Sequence, residues 1–436
     1  MVIIAIAGIF APEPSFDCDF SKIDAADVAW LITATIFVLM MTPGLSFFYG
    51  GMVGAKNVIS TMLQSFIAMG IISVLWVVFG FSLCFGDDIG GVIGDPTTFL
   101  MFNNVGGEVY TTPTGKILGG ATIPLALFAL FQMKFAIITP SLITGSFAER
   151  VRFSGYMFFM IFFFVVIYCP LAHMTWHPDG LFLKWGVVDF AGGIVVHASS
   201  GVAALAGAIF LGRRKASTRK SEPANIPFVL LGAAMLWLGW FGFNAGSGLA
   251  ADGLAANAFL VTHIATAAAA TTWMLIDWIV NKKPTTVGAC TGAVAGLVAI
   301  TPAAGSTDIL GAFCIGIIST IVCFFMVAVV KEKFKYDDAL DAFGVHGMGG
   351  ILGSILTGVF ATRYVTGAEG VEGALYGDWH QLWIQVVATV VSIIYSIVVT
   401  FIIFKVVDKT VGVRVDKRVE EEGLDIYEHG ESAYSN

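Results

Sequence analysis

The sequence predicts an all-α polytopic membrane protein, and three observations carry that prediction. In 436 residues, 57% are hydrophobic and only 12% charged, far from the balance of a soluble domain. The 23 Lys+Arg and 31 Asp+Glu cluster between long uncharged stretches instead of being spread along the chain. Those stretches are long enough to cross a bilayer, which takes roughly 20 apolar residues in a helix. A cytosolic enzyme is excluded, and so is a nucleic-acid-binding chain, because the net charge is −8.

Taken in order, the uncharged intervals give eleven spans: Val28 to Tyr49, Val58 to Phe85, Ile117 to Phe147, Phe153 to Ala172, Phe190 to Leu211, Ile226 to Ser247, Leu254 to Ile276, Thr285 to Ala304, Ile309 to Val330, Ala342 to Thr362 and Leu382 to Phe404. Lys134 alone sets a full charge deep in one of them. Val2 to Ala11 is too short to span and lacks a basic leader, so it reads as a shortened signal or a mature N-terminus.

Basic residues set the orientation. With the N-terminus outside, 18 of the 23 fall on the cytoplasmic side, including Arg213, Arg214, Lys215, Arg219 and Lys220 in one loop. The other side keeps Lys22, Lys116, Lys184 and Arg363. The predicted layout is N-out and C-in: an extracellular segment over residues 1–26, an eleven-helix domain over 27–407 and a cytoplasmic tail over 408–436. Glycines at four-residue spacing, such as Gly288, Gly292 and Gly296, suit close helix packing in lipid. The six cysteines show no CxxC or metal-ligand spacing.

A faint repeat is present. Asp189-Phe-Ala-Gly-Gly-Ile-Val-Val-His197 opens the fifth span, and Asp341-Ala-Phe-Gly-Val-His346 opens the tenth. An offset of five spans inverts direction, as two inverted five-helix repeats plus an eleventh helix require, although the spacings differ.

Intramembrane ionisable groups need a reason to be there. His197 and His346 are set among Val, Ala, Ser and Gly, at matching places in the two halves. Paired imidazoles there can line a pore and pass a proton, or be neutral rings hydrogen-bonded between helices. A metal site is a rival, but no third ligand sits at suitable spacing. Two aromatic groups are interrupted by polar residues: Phe131-Gln-Met-Lys134-Phe135, and Trp237 to Ser247, where Ser247 lies one turn beyond Phe243. Trp176, at an outer span end, reads either as a belt residue or as a cation-π receptor for a small monovalent cation.

Pro43-Gly-Leu-Ser-Phe-Phe-Tyr-Gly-Gly51, Asp189 to His197, Gly239-Trp-Phe-Gly-Phe-Asn-Ala-Gly-Ser247 and Asp341 to Gly347 resemble the signatures of the ammonium transporter (Amt/Mep/Rh) family, and the similarity runs from about Asp27 to Asn436. The resemblance implies an eleven-span, N-out homotrimer in the inner or plasma membrane, with a pore through each subunit and ammonium as substrate. It implies that Trp176, Ser247 and the Phe135 ring recruit the cation. Phe135 and Phe243 would then be a stacked gate with Phe131 beside it, and His197 and His346 twin pore histidines. Asp189 would order the recruitment site and help deprotonation. No cofactor is implied.

A fixed cation at Lys134 would repel ammonium, so Lys134 is expected to point away from the pore, toward carbonyls or a neighbouring subunit. The acidic tail, Glu420 to Tyr434, reads on its own as a solvated end. It also resembles the family's cytoplasmic tail, which would make a PII-type regulatory protein a partner. An ammonium sensor with little flux is the alternative function, against which no output domain is seen after Phe404.

Overall fold

The computed structural model describes residues 4, 6, 8, 16, 20–219 and 221–434. Most of Val2 to Ala11, together with Cys18 and Lys220, lies outside the described residues.

Among the described residues, ten helices are long and apolar enough to cross a membrane. In chain order they are α1 (Ala25–Met52), α2 (Val58–Phe85), α3 (Leu125–Phe147), α4 (Phe153–Phe163, carried through a π-helical turn into Cys169–Trp176), α5 (Gly193–Leu211), α6 (Ile226–Ala245), α7 (Gly253–Asn281), α9 (Ile309–Phe334), α10 (Phe343–Phe360) and α11 (Trp379–Thr410). Between α7 and α9 lies α8 (Thr286–Ile300), an apolar helix of 15 residues. It is shorter than the span expected from Thr285 to Ala304 because residues 301–307 leave the helix as a buried turn.

Caps explain where several helices start. The Asp24 carboxylate accepts the amides of Ala26 and Asp27 at the head of α1, and Asp252 and Asp308 do the same for α7 and α9. The third span begins at Leu125 and not at Ile117. Ile117–Leu118 pairs antiparallel with Tyr110–Thr111 in a hairpin, and Pro124 holds an extended backbone just before the helix.

Small residues set the closest helix contacts. Gly292 and Gly296 of α8 lie against Trp273 and Ala269 of α7, where an added Cβ would come within 2.4 and 2.5 Å of those residues' Cβ atoms. At the crossing of α5 and α10, a Cβ on Gly201 would stand 2.0 Å from the Gly347 nitrogen. This backbone-to-backbone approach is possible only for glycine, and it brings the two histidine-bearing segments side by side.

One end of the bundle carries a buried ionic network that joins loops to the tail. Arg214 donates to Asp337 through Nε and Nη2 (3.0 and 2.7 Å) and to Glu149 through Nη1 (2.5 Å). Arg150, fully buried, donates to the Asp337 carbonyl at 2.6 Å. Burial pushes the Asp337 carboxyl up, but the Arg214 and Arg150 guanidinium groups more than offset this and hold it at about 2.

A carboxyl depressed in the folded state stabilises above its unfolded pKa near 4 and loses that contribution as pH falls toward 2. The shift corresponds to about 2 kcal/mol. Arg214→Gln is therefore expected to lower the thermal midpoint at pH 7, and the gap to wild type should shrink between pH 4 and pH 2. A gap that stays constant over that range would remove Asp337 from the account.

The acidic tail is docked, contrary to its reading as a solvated end. Glu420 and Asp425 are 1% and 2% exposed. Glu420 pairs with Arg414 at 2.8 Å and accepts the Lys215 amide. The Asp425 carboxylate accepts the amides of Ile59 and Ser60 at the start of α2 (3.0 and 2.9 Å), and Glu428 accepts that of Phe153 at the start of α4 (3.0 Å).

Candidate functional site

The six predicted rings form one continuous track, buried except at the half-buried Trp176. Trp176, at the end of α4, meets Phe135 of α3 edge to face, with centroids 5.9 Å apart. Phe131, one turn earlier on α3, packs against Phe135 at 5.0 Å. Phe135 then stacks on Phe243 of α6 at 4.1 Å and 21°. Phe243 lies 6.0 Å from His197, and His197 stacks at 5.5 Å and 18° on His346. Phe131, Phe135, Phe243, His197 and His346 are each no more than 2% exposed.

Asp189 builds the segment that presents His197. Its carboxylate accepts four successive amides, those of Gly192, Gly193, Ile194 and Val195, at 2.5 to 3.2 Å. These are the amides that open the π-helical turn Gly193–Ala198 and would otherwise be buried without an acceptor. The expected start at Phe190 thus gives way to a cap. The Asp189 backbone carbonyl accepts the Trp176 indole N–H at 2.9 Å, tying that ring to the same residue. With four amides on its two oxygens, the carboxylate makes all its hydrogen bonds inside its own turn.

The counterpart at His346 is Asp338, not Asp341. Its two oxygens accept the amides of Ala342 and Phe343 (3.1 and 2.8 Å), ahead of the π-helical turn Phe343–Gly347. Counted from Asp338, each carboxylate precedes its histidine by eight residues, so the unequal spacing in the sequence came from pairing the wrong aspartate. Asp341 instead binds the Lys331 ammonium.

Ser247 sits in a 3₁₀ turn at the end of α6, and its hydroxyl donates to the Phe243 carbonyl at 2.8 Å. It joins the track through that bond. Trp240, one turn before Phe243, had no assigned role in the sequence reading. It stacks on His197 at 5.3 Å and 17°, and its indole N–H donates to the Thr301 hydroxyl at 2.8 Å. The i, i+3 relation to Phe243 was the available signal. Lys134 is half-buried with its ammonium 3.7 Å from the Met133 sulfur, and no carbonyl lies within hydrogen-bond reach of it among the described residues.

His197 Nδ1 and Nε2 and His346 Nδ1 have no hydrogen-bond partner among the described residues. Polar atoms this deeply buried are ordinarily paired, so these nitrogens are free to bind a small polar guest.

Fold and track together define a multi-pass integral membrane protein with an aromatic and imidazole core. Residues 29–434 match the Ammonium Transporter Family, and the chain belongs to it. It is 46% identical over 410 residues to an ammonium transporter of Bacillus subtilis, covering 94% of this chain and 98% of that one. Its fold is similar to the crystal structure of Mep2 from Saccharomyces cerevisiae, with TM-score 0.83, 33% identity and coverage of 91% and 88%. It is also similar to a structure described as a sensor Amt protein, with TM-score 0.83, 29% identity and coverage of 93% and 98%.

Proposed function

We propose that this protein recruits ammonium at Trp176, Ser247 and the Phe135 ring, deprotonates it, and conducts ammonia past Phe131, Phe135 and Phe243 to His197 and His346, which relay the proton. The observation that carries this reading is the unbroken ring track ending on two imidazoles, of which both His197 nitrogens and His346 Nδ1 are buried without a partner among the described residues.

The chemistry follows from what each group has left to offer. The Trp176 N–H is engaged, so its ring face remains for a cation. The Ser247 proton is engaged, so its oxygen remains as an acceptor for an N–H of ammonium. Carrying a bare ammonium through the Phe135–Phe243 stack would forfeit its hydration, whereas neutral ammonia passes with a far smaller penalty. The Asp189 charge favours a cation outside the gate while its oxygens stay committed to the turn. In this reading Asp189 is a positioning residue.

The same proposal takes α1 to α11 as eleven spans in two inverted five-helix repeats plus one, N-out and C-in, in a plasma-membrane homotrimer. The Asp189–His197 and Asp338–His346 units, five helices apart, support the inversion. The docked tail is the surface offered to a PII-type regulator.

Solid-supported-membrane electrophysiology on proteoliposomes tests the reading. Ammonium pulses should evoke transient currents that potassium pulses do not. The likeness to a sensor Amt protein supports a second reading, ammonium binding with little flux, which saturable binding without current would establish. Trp176→Leu keeps apolar bulk but removes the stronger quadrupole, so the half-saturating ammonium concentration should rise up to about tenfold, equivalent to ~1.4 kcal/mol. An unchanged value would leave Trp176 as an interface anchor.

A further inference from the structure

On the face that carries the docked tail, a cavity of about 280 Å³ opens between two loops. One wall is Arg213, Arg214 and Arg219, in the loop that follows α5. The other is Lys331 and Lys335, at the end of α9 and in the loop leading to α10, together with Glu332 and Asp337. The first wall thus continues α5, which carries His197, and the second runs from the end of α9 into the loop that leads to α10, which carries His346.

Charge in this cavity is not balanced by its own side chains. Arg214 is spent on Asp337 and Glu149, and Lys331 on Asp341. Arg219 donates through Nε to the Arg214 carbonyl within its own loop and meets no carboxylate among the described residues. The side chains of Arg213 and Lys335 have no hydrogen bond or ion pair among the described residues. Three cations without a carboxylate partner among the described residues thus line the opening beside Glu332 and the Arg214-paired Asp337, in a chain whose net charge is −8.

Beside this wall Arg150, fully buried, donates to the Asp337 carbonyl and helps to hold the Asp337 carboxylate, leaving Nε and Nη1 without an acceptor among the described residues. Basic residues that serve only to orient a membrane protein need to lie on one side of it; nothing requires them to converge from two loops on one cavity.

Two guanidinium forks and an ammonium converging on a concave opening suit a tetrahedral, multiply charged oxyanion. The volume is several times the ~30 Å³ share of one water, so a phosphate group enters with part of its hydration shell. We propose that this cavity binds a phosphate-class anion, supplied either free in solution or as the headgroup of an anionic lipid, and so bridges the loop after the His197 helix and the loop that leads into the His346 helix. The inference concerns binding alone and holds whether or not the pore conducts ammonium.

The test uses the full chain purified in detergent at constant ionic strength. Isothermal titration calorimetry with pyrophosphate should show saturable binding that chloride does not reproduce, and the combined Arg213→Ser, Arg219→Ser and Lys335→Ser variant should weaken it by about tenfold or more. In a second arm, native mass spectrometry compares retention of phosphatidylglycerol and phosphatidylcholine. Preferential phosphatidylglycerol retention that the triple variant abolishes assigns the site to a headgroup. Pyrophosphate binding lost in the triple variant with lipid retention unchanged assigns it to a soluble ligand.

If the triple variant does not fold, Glu332→Gln decides, because removing the opposing carboxylate should tighten pyrophosphate or phosphatidylglycerol binding by about twofold to fivefold. The proposal is overturned if the wild type shows neither interaction, if the triple variant folds and retains both at wild-type strength, or if, in place of an unfolded triple variant, Glu332→Gln leaves both unchanged.

Discussion

Ammonium-evoked current is expected to fall to background when His197 and His346 are both replaced by alanine. The two rings are the only imidazoles on the track among the described residues, and they stack on each other at 5.5 Å. Their neighbours are the Phe243 and Trp240 rings, which carry no exchangeable proton toward the gate. With both imidazoles gone, a proton released outside Phe135 has no titratable group to pass to, and a charged species would have to cross a dry segment. His346→Ala alone should reduce the current strongly. Size-exclusion chromatography and thermal melting show whether the variants stay assembled. Wild-type current from an intact double variant would refute the relay.

Asp189→Ala is expected to give the largest loss of stability of any single change at the site. It strands four buried amides, and at ~1 kcal/mol for each unmet donor the loss is ~4 kcal/mol. Asp338→Ala strands two, for ~2 kcal/mol. Asparagine keeps one accepting oxygen, so each Asn variant should fall between wild type and the Ala variant. Thermal midpoints of the purified variants in one detergent give the order directly. An Asp189→Ala protein that melts with the wild type would mean that the turn before His197 finds other acceptors.

Much of this site was legible in the sequence, because intramembrane histidines and polar-interrupted aromatic runs stand out against an apolar background. Phe131, Phe135, Phe243, Trp176, His197 and His346 do fall in one chain of contacts. What the sequence hid were relations of backbone geometry. Asp338 and Asp341 both precede His346, and only the π-helical turn at Phe343–Gly347 decides whose carboxylate faces the free amides.

Apolar composition alone misplaced the start of α3, since Ile117 and Leu118 are as apolar in a hairpin as in a helix. The tail misled for a related reason. Five glutamates and an aspartate between Glu420 and Glu431 suggest solvent, yet Glu420 and Asp425 find a guanidinium and a helix start that lie far away in the sequence.

The docked tail has a consequence for how the protein is made. Asp425 serves α2 from 366 residues downstream of Ile59, and the backbone bridge between Val151 and Arg414 spans most of the chain as well. During synthesis, α2 and α4 enter the bilayer long before the segment that completes their ends has been translated. Their first turns must wait, hydrated at the membrane surface, until every other helix is in place. Closure of the tail is thus a late assembly step, and a protein stalled before it would present the unpaired amides of Ile59, Ser60 and Phe153 to water. Nascent chains truncated before Arg414 should accordingly be inserted normally yet remain open to proteolysis at the start of α2.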